Sequence, residues 1–397
     1  MQPGAWISVT AVVLAGAACA DRALELERGA GSTPGTDASA DERHDAAEGE
    51  PDAAERCVPV PWTTTTVDAH INRGAGSSIA VDPAGSVHIS YAGADGVRYA
   101  HGGGGAAWTT RMVEPNGFQP PGWPTSLVLD PSGGVHIAYS VPGKPSDHPA
   151  TDSSAWLRYA FGDGVGGWTT ETIDPLGGDG SLVIDSGGRL HVAYVRFSGW
   201  SLQYASRSAG GAWVASSLLD TDLDRHPAVA LDGTGAVHVV YTSGLQTIIY
   251  LRRDPNGTGT SAAVDAARSE GGALAVDAAG GVHLGYQSAQ GIGYARRDPT
   301  GTWAITTVDP DPILVSGGYS LAVDPEGGVH MSYVVIPERA LRYAHRDPGG
   351  AWTTTTIEAA VVNLWGTSLA VDPQGGVHIS YAANGGLRYA YSRRCVP

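Results

Sequence analysis

SLAVDPEGGVHMSY, residues 320–333, is one of seven variants of a single unit spread along the chain. The others are SSIAVDPAGSVHISY (77–91), TSLVLDPSGGVHIAY (125–139), GSLVIDSGGRLHVAY (180–194), PAVALDGTGAVHVVY (227–241), GALAVDAAGGVHLGY (272–286) and TSLAVDPQGGVHISY (367–381). Each places a histidine six residues after an aspartate: Asp82 and His88, Asp130 and His136, Asp185 and His191, Asp232 and His238, Asp277 and His283, Asp324 and His330, and Asp372 and His378. The histidines recur every 45 to 55 residues. A period of that length marks an architecture whose units bury their apolar faces only by stacking on one another.

Each unit reads as four strands. LAVD is apolar at consecutive positions, as a strand covered on both faces requires. D-P-x-G-G follows as a turn, with Pro presetting φ and Gly accepting a positive φ. After the V-H-x-x-Y strand comes a short apolar run such as LRYA (341–344), a Gly-rich turn, and a Trp-Thr strand such as WTTTTI (352–357). Short runs rich in Val, Ile, Tyr, Trp and Thr, bounded by Gly or Pro, predict an antiparallel meander. One meander cannot bury both faces, but a closed ring of meanders can. The expectation is an all-β chain forming a seven-bladed β-propeller of four-stranded antiparallel blades.

The register of the last copy predicts how the ring closes. Tyr leads Trp by nine residues in Tyr99–Trp108, Tyr159–Trp168, Tyr204–Trp213, Tyr294–Trp303 and Tyr343–Trp352, whereas the fourth copy has Tyr250 and then Gly259. Tyr389 of the seventh copy would need its Trp at position 398, past Pro397. PWTTTTVD (61–68) supplies that strand from the other end, so the N-terminal strand should complete the last blade. Cys57 lies five residues before Trp62 and Cys395 six after Tyr389, in the same turn of the closing blade. An even pair of cysteines in an oxidising compartment predicts a disulfide latch, worth roughly 5–6 kcal/mol on the chain-entropy formula.

The 397 residues include 56 Gly and 25 Pro, which suits a turn-rich protein, and carry a net charge of −16, which opposes nucleic-acid binding. Residues 5–18 (AWISVTAVVLAGAA) form an apolar run too short to span a bilayer and end in small residues before Cys19. Residues 1–19 therefore read as a signal peptide. Gly16-Ala17-Ala18-Cys19 resembles a bacterial lipobox, with Gly where that family usually has Leu, and the resemblance implies that Cys19 is lipidated. Residues 20–56 hold eleven acidic and four basic side chains and no aromatic one, the composition of a disordered acidic tether. Residues 57–397 are then the propeller. The expected setting is the bacterial cell envelope, as an exported monomer whose membrane contact is the lipid alone.

The unit A-V-D-x-x-G-x-V-H-I-x-Y resembles NHL-type propeller repeats over about residues 62–397, with His here in the family's usual Tyr position. It is also similar to the Asp-box repeat of sialidase-type propellers, although Gly stands three after Asp, as in Asp324 and Gly327, rather than two. Both resemblances imply the propeller. Both families contain binders and enzymes, so function must be read from the site.

Equivalent positions of neighbouring blades lie about 10 Å apart, the spacing of stacked sheets, whereas zinc ligands sit about 2 Å from their ion. The seven histidines therefore cannot share one metal. They read as buried structural residues bonded to a neighbouring blade or turn, and no metal or cofactor is expected. Function in a propeller belongs where the repeat breaks, in the loops joining each outer strand to the next inner one: 68–76, 114–124, 174–179, 220–226, 265–271, 309–318 and 358–366. The ligand-binding candidates there are Asp68, His70, Arg73, Trp123, Asp222, Asp224, Arg225, His226, Arg268, Glu270 and Trp365, with Asn116, Gln119, Asp179, Asp311 and Asn363 beside them.

Carboxylates, arginines and tryptophans together suit a glycan or peptide. Arg73, Arg225 and Arg268 could converge on a carboxylate, as the three arginines of sialidases do. Asp220, Asp222 and Asp224 alternate like a calcium loop, but Arg225 stands where that loop needs Gly. Residues 140–156 are the largest break in the repeat and carry Lys144. With no G-x-S-x-G, H-E-x-x-H or phosphate loop, no catalytic residue is assigned. The leading expectation is a non-catalytic module binding a glycan or protein. Its rivals are a glycan-processing enzyme using loop carboxylates and a lectin with a pocket between each pair of blades.

Overall fold

The computed structural model describes residues 60–69, 76–93, 95–103, 105–115, 124–142, 155–219, 226–244, 247–266, 271–310, 318–335, 338–361, 365–383 and 385–393. The expected leader, tether, Cys19, Cys57 and Cys395 lie outside them, as does Lys144. The described residues form seven four-stranded antiparallel sheets. These are blades 1 (77–115), 2 (125–174), 3 (177–219), 4 (228–266), 5 (273–309), 6 (319–358) and 7, in which 365–393 is completed by 60–68. Val60–Asp68 is the outer strand of blade 7 and pairs antiparallel with Gly386–Arg393, from Val60 opposite Arg393 to Asp68 opposite Leu387. The inner strands touch in sequence around the ring, and Ser77–Val81 of blade 1 meets Trp365–Val371 of blade 7. The seven-bladed propeller closed by its N-terminal strand is thus observed.

The repeated aspartate builds the turn that starts each blade. In blade 2, Asp130 Oδ1 accepts the backbone N–H groups of Ser132 and Gly134 at 2.7 and 2.9 Å, and Gly133 N–H donates to the Asp130 carbonyl at 3.0 Å. Gly133 takes φ 87°, where a side chain would be strained, which is why Gly recurs three after Asp. The apolar residues on both sides of the turn are buried: Leu127, Val135 and Ile137 are at most 1% exposed. Sheets stacked face to face leave no wet side, so inner strands read as continuous apolar runs.

Between the stacked inner strands the sequence places a serine where the backbone has a donor to satisfy. The hydroxyls of Ser78, Ser126, Ser181, Ser320 and Ser368 accept the N–H of Leu127, Leu182, Val229, Leu369 and Ile79 in the next blade, at 2.9 to 3.2 Å. Blades 4 and 5 carry Ala228 and Ala273 at that position. Replacing Ser126 with Ala leaves the buried Leu182 N–H without its acceptor, and an orphaned buried donor costs about 1–3 kcal/mol. Denaturant unfolding of Ser126→Ala should show a loss of that size at unchanged slope. A variant as stable as the parent would remove this ring of bonds from the account.

Candidate functional site

Seven copies of one polar stack line the face formed by the Asp turns. In blades 2 to 7 the histidine Nε2–H donates to the second oxygen of its turn aspartate, at 2.9 to 3.3 Å: His136 to Asp130, His191 to Asp185, His238 to Asp232, His283 to Asp277, His330 to Asp324 and His378 to Asp372. His88 lies 3.5 Å from Asp82. A carboxylate only accepts, so in these six blades a neutral imidazole carries its proton on Nε2, and Nδ1 accepts from a tyrosine hydroxyl. Those tyrosines are Tyr159, Tyr204, Tyr250, Tyr294, Tyr343 and Tyr389, at 2.6 to 2.8 Å. Tyr99 meets His88 Nδ1 at 2.7 Å. The bland expectation for the histidines, a bond to the turn, matches this geometry. The expected bond to a neighbouring blade does not appear, because the third strand of the same blade supplies the tyrosine.

The next blade covers each tyrosine with a tryptophan edge. Trp168 on Tyr99, Trp213 on Tyr159, Trp303 on Tyr250, Trp352 on Tyr294, Trp62 on Tyr343 and Trp108 on Tyr389 have ring centroids 5.0 to 5.5 Å apart. At the seam of blades 3 and 4, Gly259 replaces the tryptophan and Tyr204 is left half-buried. Arg253 covers it instead, 5.4 Å from the ring centroid.

The opposite face has its own repeating lock. A tyrosine ending the second strand donates to a carboxylate ending the previous blade's outer strand: Tyr91 to Asp68 and Tyr333 to Asp309 at 2.7 Å, Tyr194 to Asp174 at 2.9 Å, Tyr286 to Asp265 at 2.7 Å. Tyr139 with Glu114 and Tyr381 with Glu358 make six such locks among the described residues. Asp68, expected on an open loop, is therefore the buried end of a strand, 8% exposed and engaged in a blade seam.

The remaining loop candidates divide sharply. His70, Arg73, Trp123, Asp222, Asp224, Arg225, Arg268 and Glu270 lie outside the described residues, and Trp365 is described only as the start of an inner strand. His226 is 1% exposed; its N–H and Nδ1 meet the two oxygens of Asp179 at 2.7 and 2.8 Å. Asp179 in turn receives Ser140 Oγ as acceptor of its own N–H, at 2.8 Å. Asp179 and His226 both hold left-handed φ values of 57° and 64°, a strain the surrounding contacts must offset. Asp179 was expected in a loop, but the inner strand of blade 3 begins at Gly177 and bulges between Gly178 and Ser181. The cavity beside the pair holds about 10 Å³, the space of one water, so the pair staples blades 2, 3 and 4 together.

A much larger cleft, about 700 Å³, opens between blades 2 and 3 on the Asp-turn face. Phe161, Thr169, Thr170, Glu171, Ser186, Arg207 and Ser208 line it, with Asp130, His136 and Tyr159 at its base. Glu171 forms an ion pair with Arg207 and accepts Trp213 Nε1–H at 2.8 Å. The Arg207 guanidinium lies 5.3 Å from the Tyr159 ring centroid and 5.9 Å from that of Trp213. Burial pushes the His136 pKa down, outweighing the hydrogen bond it donates to Asp130, so this imidazole stays neutral near pH 7. Asp130, His136, Glu171 and Arg207 are all engaged by partners within the protein.

Sequence reading passed over this cleft because its residues lie inside the repeat rather than in the long loops. A signal was nevertheless present. Where blade 2 has Phe161, opposite its repeated histidine, the other blades have His, Ser, Arg, Arg, His and Tyr. Glu171, three after Trp168, is a carboxylate where Thr65, Arg111, Ser216, Thr306 and Thr355 stand three after their tryptophans.

No protein-family model matches the sequence, and no curated protein is similar to it. Solved structures do share the fold. Virginiamycin B lyase from Staphylococcus aureus superposes with a TM-score of 0.60 at 11% identity, over 84% of this chain and 99% of that one. An ulvan lyase of polysaccharide lyase family 25, bound to -[GlcA(1-4)Rha3S]-, gives 0.56 at 12% identity over 82% and 95%. The lectin SapL1 in complex with alpha methyl fucoside gives 0.51 at 15% identity over 74% and 98%. At these identities the likeness establishes the propeller, a fold that carries both enzymes and lectins.

Proposed function

We propose that the chain is a glycan-binding β-propeller whose ligand lies in the cleft between blades 2 and 3. The observation that carries this reading is that two side chains by which blade 2 departs from the other blades, Phe161 and Glu171, line one cleft of ligand size. Phe161 is 39% exposed, an apolar ring surface of the kind a sugar face covers, among threonine and serine hydroxyls and a charge pair able to hydrogen-bond sugar hydroxyls. The charged groups already hold protein partners, which suits recognition better than proton transfer. Structural likeness to a fucoside-binding lectin and to a polysaccharide lyase supports a carbohydrate as the ligand class. Export is part of this proposal: the apolar run 5–18 before Cys19 supports a signal peptide and a lipid tether at the cell envelope.

A glycan array, followed by calorimetry on hits, tests the proposal. Phe161→Ala and Glu171→Gln should each weaken binding at least about tenfold, since one good aromatic or charged contact is worth over 1.4 kcal/mol. Their thermal melts should stay close to the parent's, because both side chains are partly exposed. Binding unaffected by both variants would move the site elsewhere, and silence on every glycan would reject the glycan class in favour of a protein partner. New reducing ends from a bound oligosaccharide would make the protein a glycan-processing enzyme instead.

A further inference from the structure

Blade 6 carries a second histidine beside its repeated Asp–His pair, and we infer that Asp324, His330 and His345 form a binding site for a divalent transition-metal ion such as zinc. Their ligand atoms all lie within 4.8 Å of one another. Atoms bound tetrahedrally to zinc at about 2.0–2.2 Å lie about 3.4 Å apart, so closing the site needs side-chain shifts of up to about 1.4 Å, within the reach of rotamer adjustment. His345 stands directly across the strand pair from His330, with ring centroids 4.9 Å apart and planes tilted by 57°.

Two of the three ligands are set in place by the fold. Asp324 Oδ1 is held by the Gly328 N–H at 2.6 Å, which leaves Oδ2 beside His330 Nε2 at 2.9 Å. The side chains of His330 and Asp324 are only 5% and 9% exposed. When an ion takes the Nε2 lone pair, the imidazole proton resides on Nδ1 and is donated to the Tyr343 oxygen, now 2.7 Å away. A ligating histidine whose other nitrogen is hydrogen-bonded has a defined tautomer and ring orientation. Two imidazoles and one carboxylate suit zinc and its first-row neighbours rather than calcium or magnesium, and three protein ligands leave a position for water or a ligand oxygen.

Blade 1 repeats the residue types, with His101 facing His88 at ring centroids 4.7 Å apart and Asp82 Oδ2 3.5 Å from His88 Nε2, but among the described residues only the blade 6 trio gathers its ligand atoms within 4.8 Å. Blades 2, 3, 4, 5 and 7 have Phe161, Ser206, Arg252, Arg296 and Tyr391 opposite the histidine. The objection that seven histidines cannot share one ion stands; the blade 6 site lies within a single blade. Sequence reading missed it because it followed the repeated His and not its cross-strand partner.

The test is titration of the untagged, metal-stripped full chain with zinc by calorimetry and with cobalt by visible absorption. His345→Phe and His345→Ser serve as variants, since blades 2 and 3 carry those residues at the same place. Zinc should bind the parent at micromolar or tighter affinity and raise its melting temperature. Cobalt should show the intense visible bands of a four- or five-coordinate site. Both variants should lose the blade 6 site, weakening binding at least tenfold. A parent that binds neither ion overturns the inference, whatever the variants do. So does a folded His345 variant with the parent's stoichiometry and affinity.

Discussion

Replacing Val60–Asp68 with a Gly/Ser segment of equal length should abolish the cooperative thermal transition, or lower it by more than about 10 °C. This one strand performs three jobs. It pairs with Gly386–Arg393 along its length. Trp62 wedges against Tyr343 of blade 6, with ring centroids 5.0 Å apart. Asp68 receives the Tyr91 hydroxyl of blade 1 at 2.7 Å, so the strand ties blade 7 to both its neighbours. Trp62 is only partly buried, so losing it alone is worth less than the roughly 3–5 kcal/mol of a core aromatic, and the bared edge of the next strand becomes a template for aggregation. Calorimetry and light scattering would report both effects. Trp62→Ala, which keeps the backbone pairing, should fall between parent and replacement. A replacement melting within a couple of degrees of the parent would mean that the ring holds without its N-terminal strand.

Acid should unfold the protein in two stages, beginning well above the ordinary range of carboxylates. Burial pushes down the pKa of His136, His191, His238 and His283, and that of His88 to about 4, with His101 adding to the depression at His88. Below the ordinary histidine value of about 6.5, the unfolded chain binds protons that the folded chain refuses. Their contribution is therefore complete above pH 6.5 and is lost as pH falls toward the folded values; for His88 alone the full shift is worth roughly 3 kcal/mol.

The turn aspartates then act in the same direction at lower pH. Burial, the largest influence on Asp130, works to raise its pKa. Hydrogen bonds from Ser132, Gly134 and His136 together outweigh it and hold the group at about 2. Asp82, Asp185, Asp277, Asp324 and Asp372 are likewise lowered. Their contribution is present above about pH 3.8 and disappears as pH drops through the folded values. Calorimetry at pH 7.0, 5.5 and 4.5 should show the melting temperature falling by more than about 10 °C across the series. A flat profile down to pH 4.5 would mean that the histidines are not held neutral.

What the residues alone reveal about this protein depends on range along the chain. Seven blades, four strands in each, the Asp turn, and the closing strand 61–68 were all legible, because each depends on local chemistry repeated at a constant period. A Pro or Gly at a turn, or an unbroken apolar run, means the same thing wherever it occurs. What the polar residues do was not legible. Asp68 looked like an open-loop carboxylate and is a seam lock, while His226 looked like a ligand group and is a buried staple bonded to Asp179. The sequence determined by itself that the chain is a closed ring of seven like blades, since seven repeats of a four-stranded meander bury their faces by stacking on one another and the first strand supplies what the last blade lacks. Only the tertiary structure decided that Phe161 and Glu171 share a cleft with Arg207 from the next blade, and that His345 stands opposite His330. Those relations depend on strand register and on the stacking of one blade against the next, which pair residues that no spacing along the chain brings together.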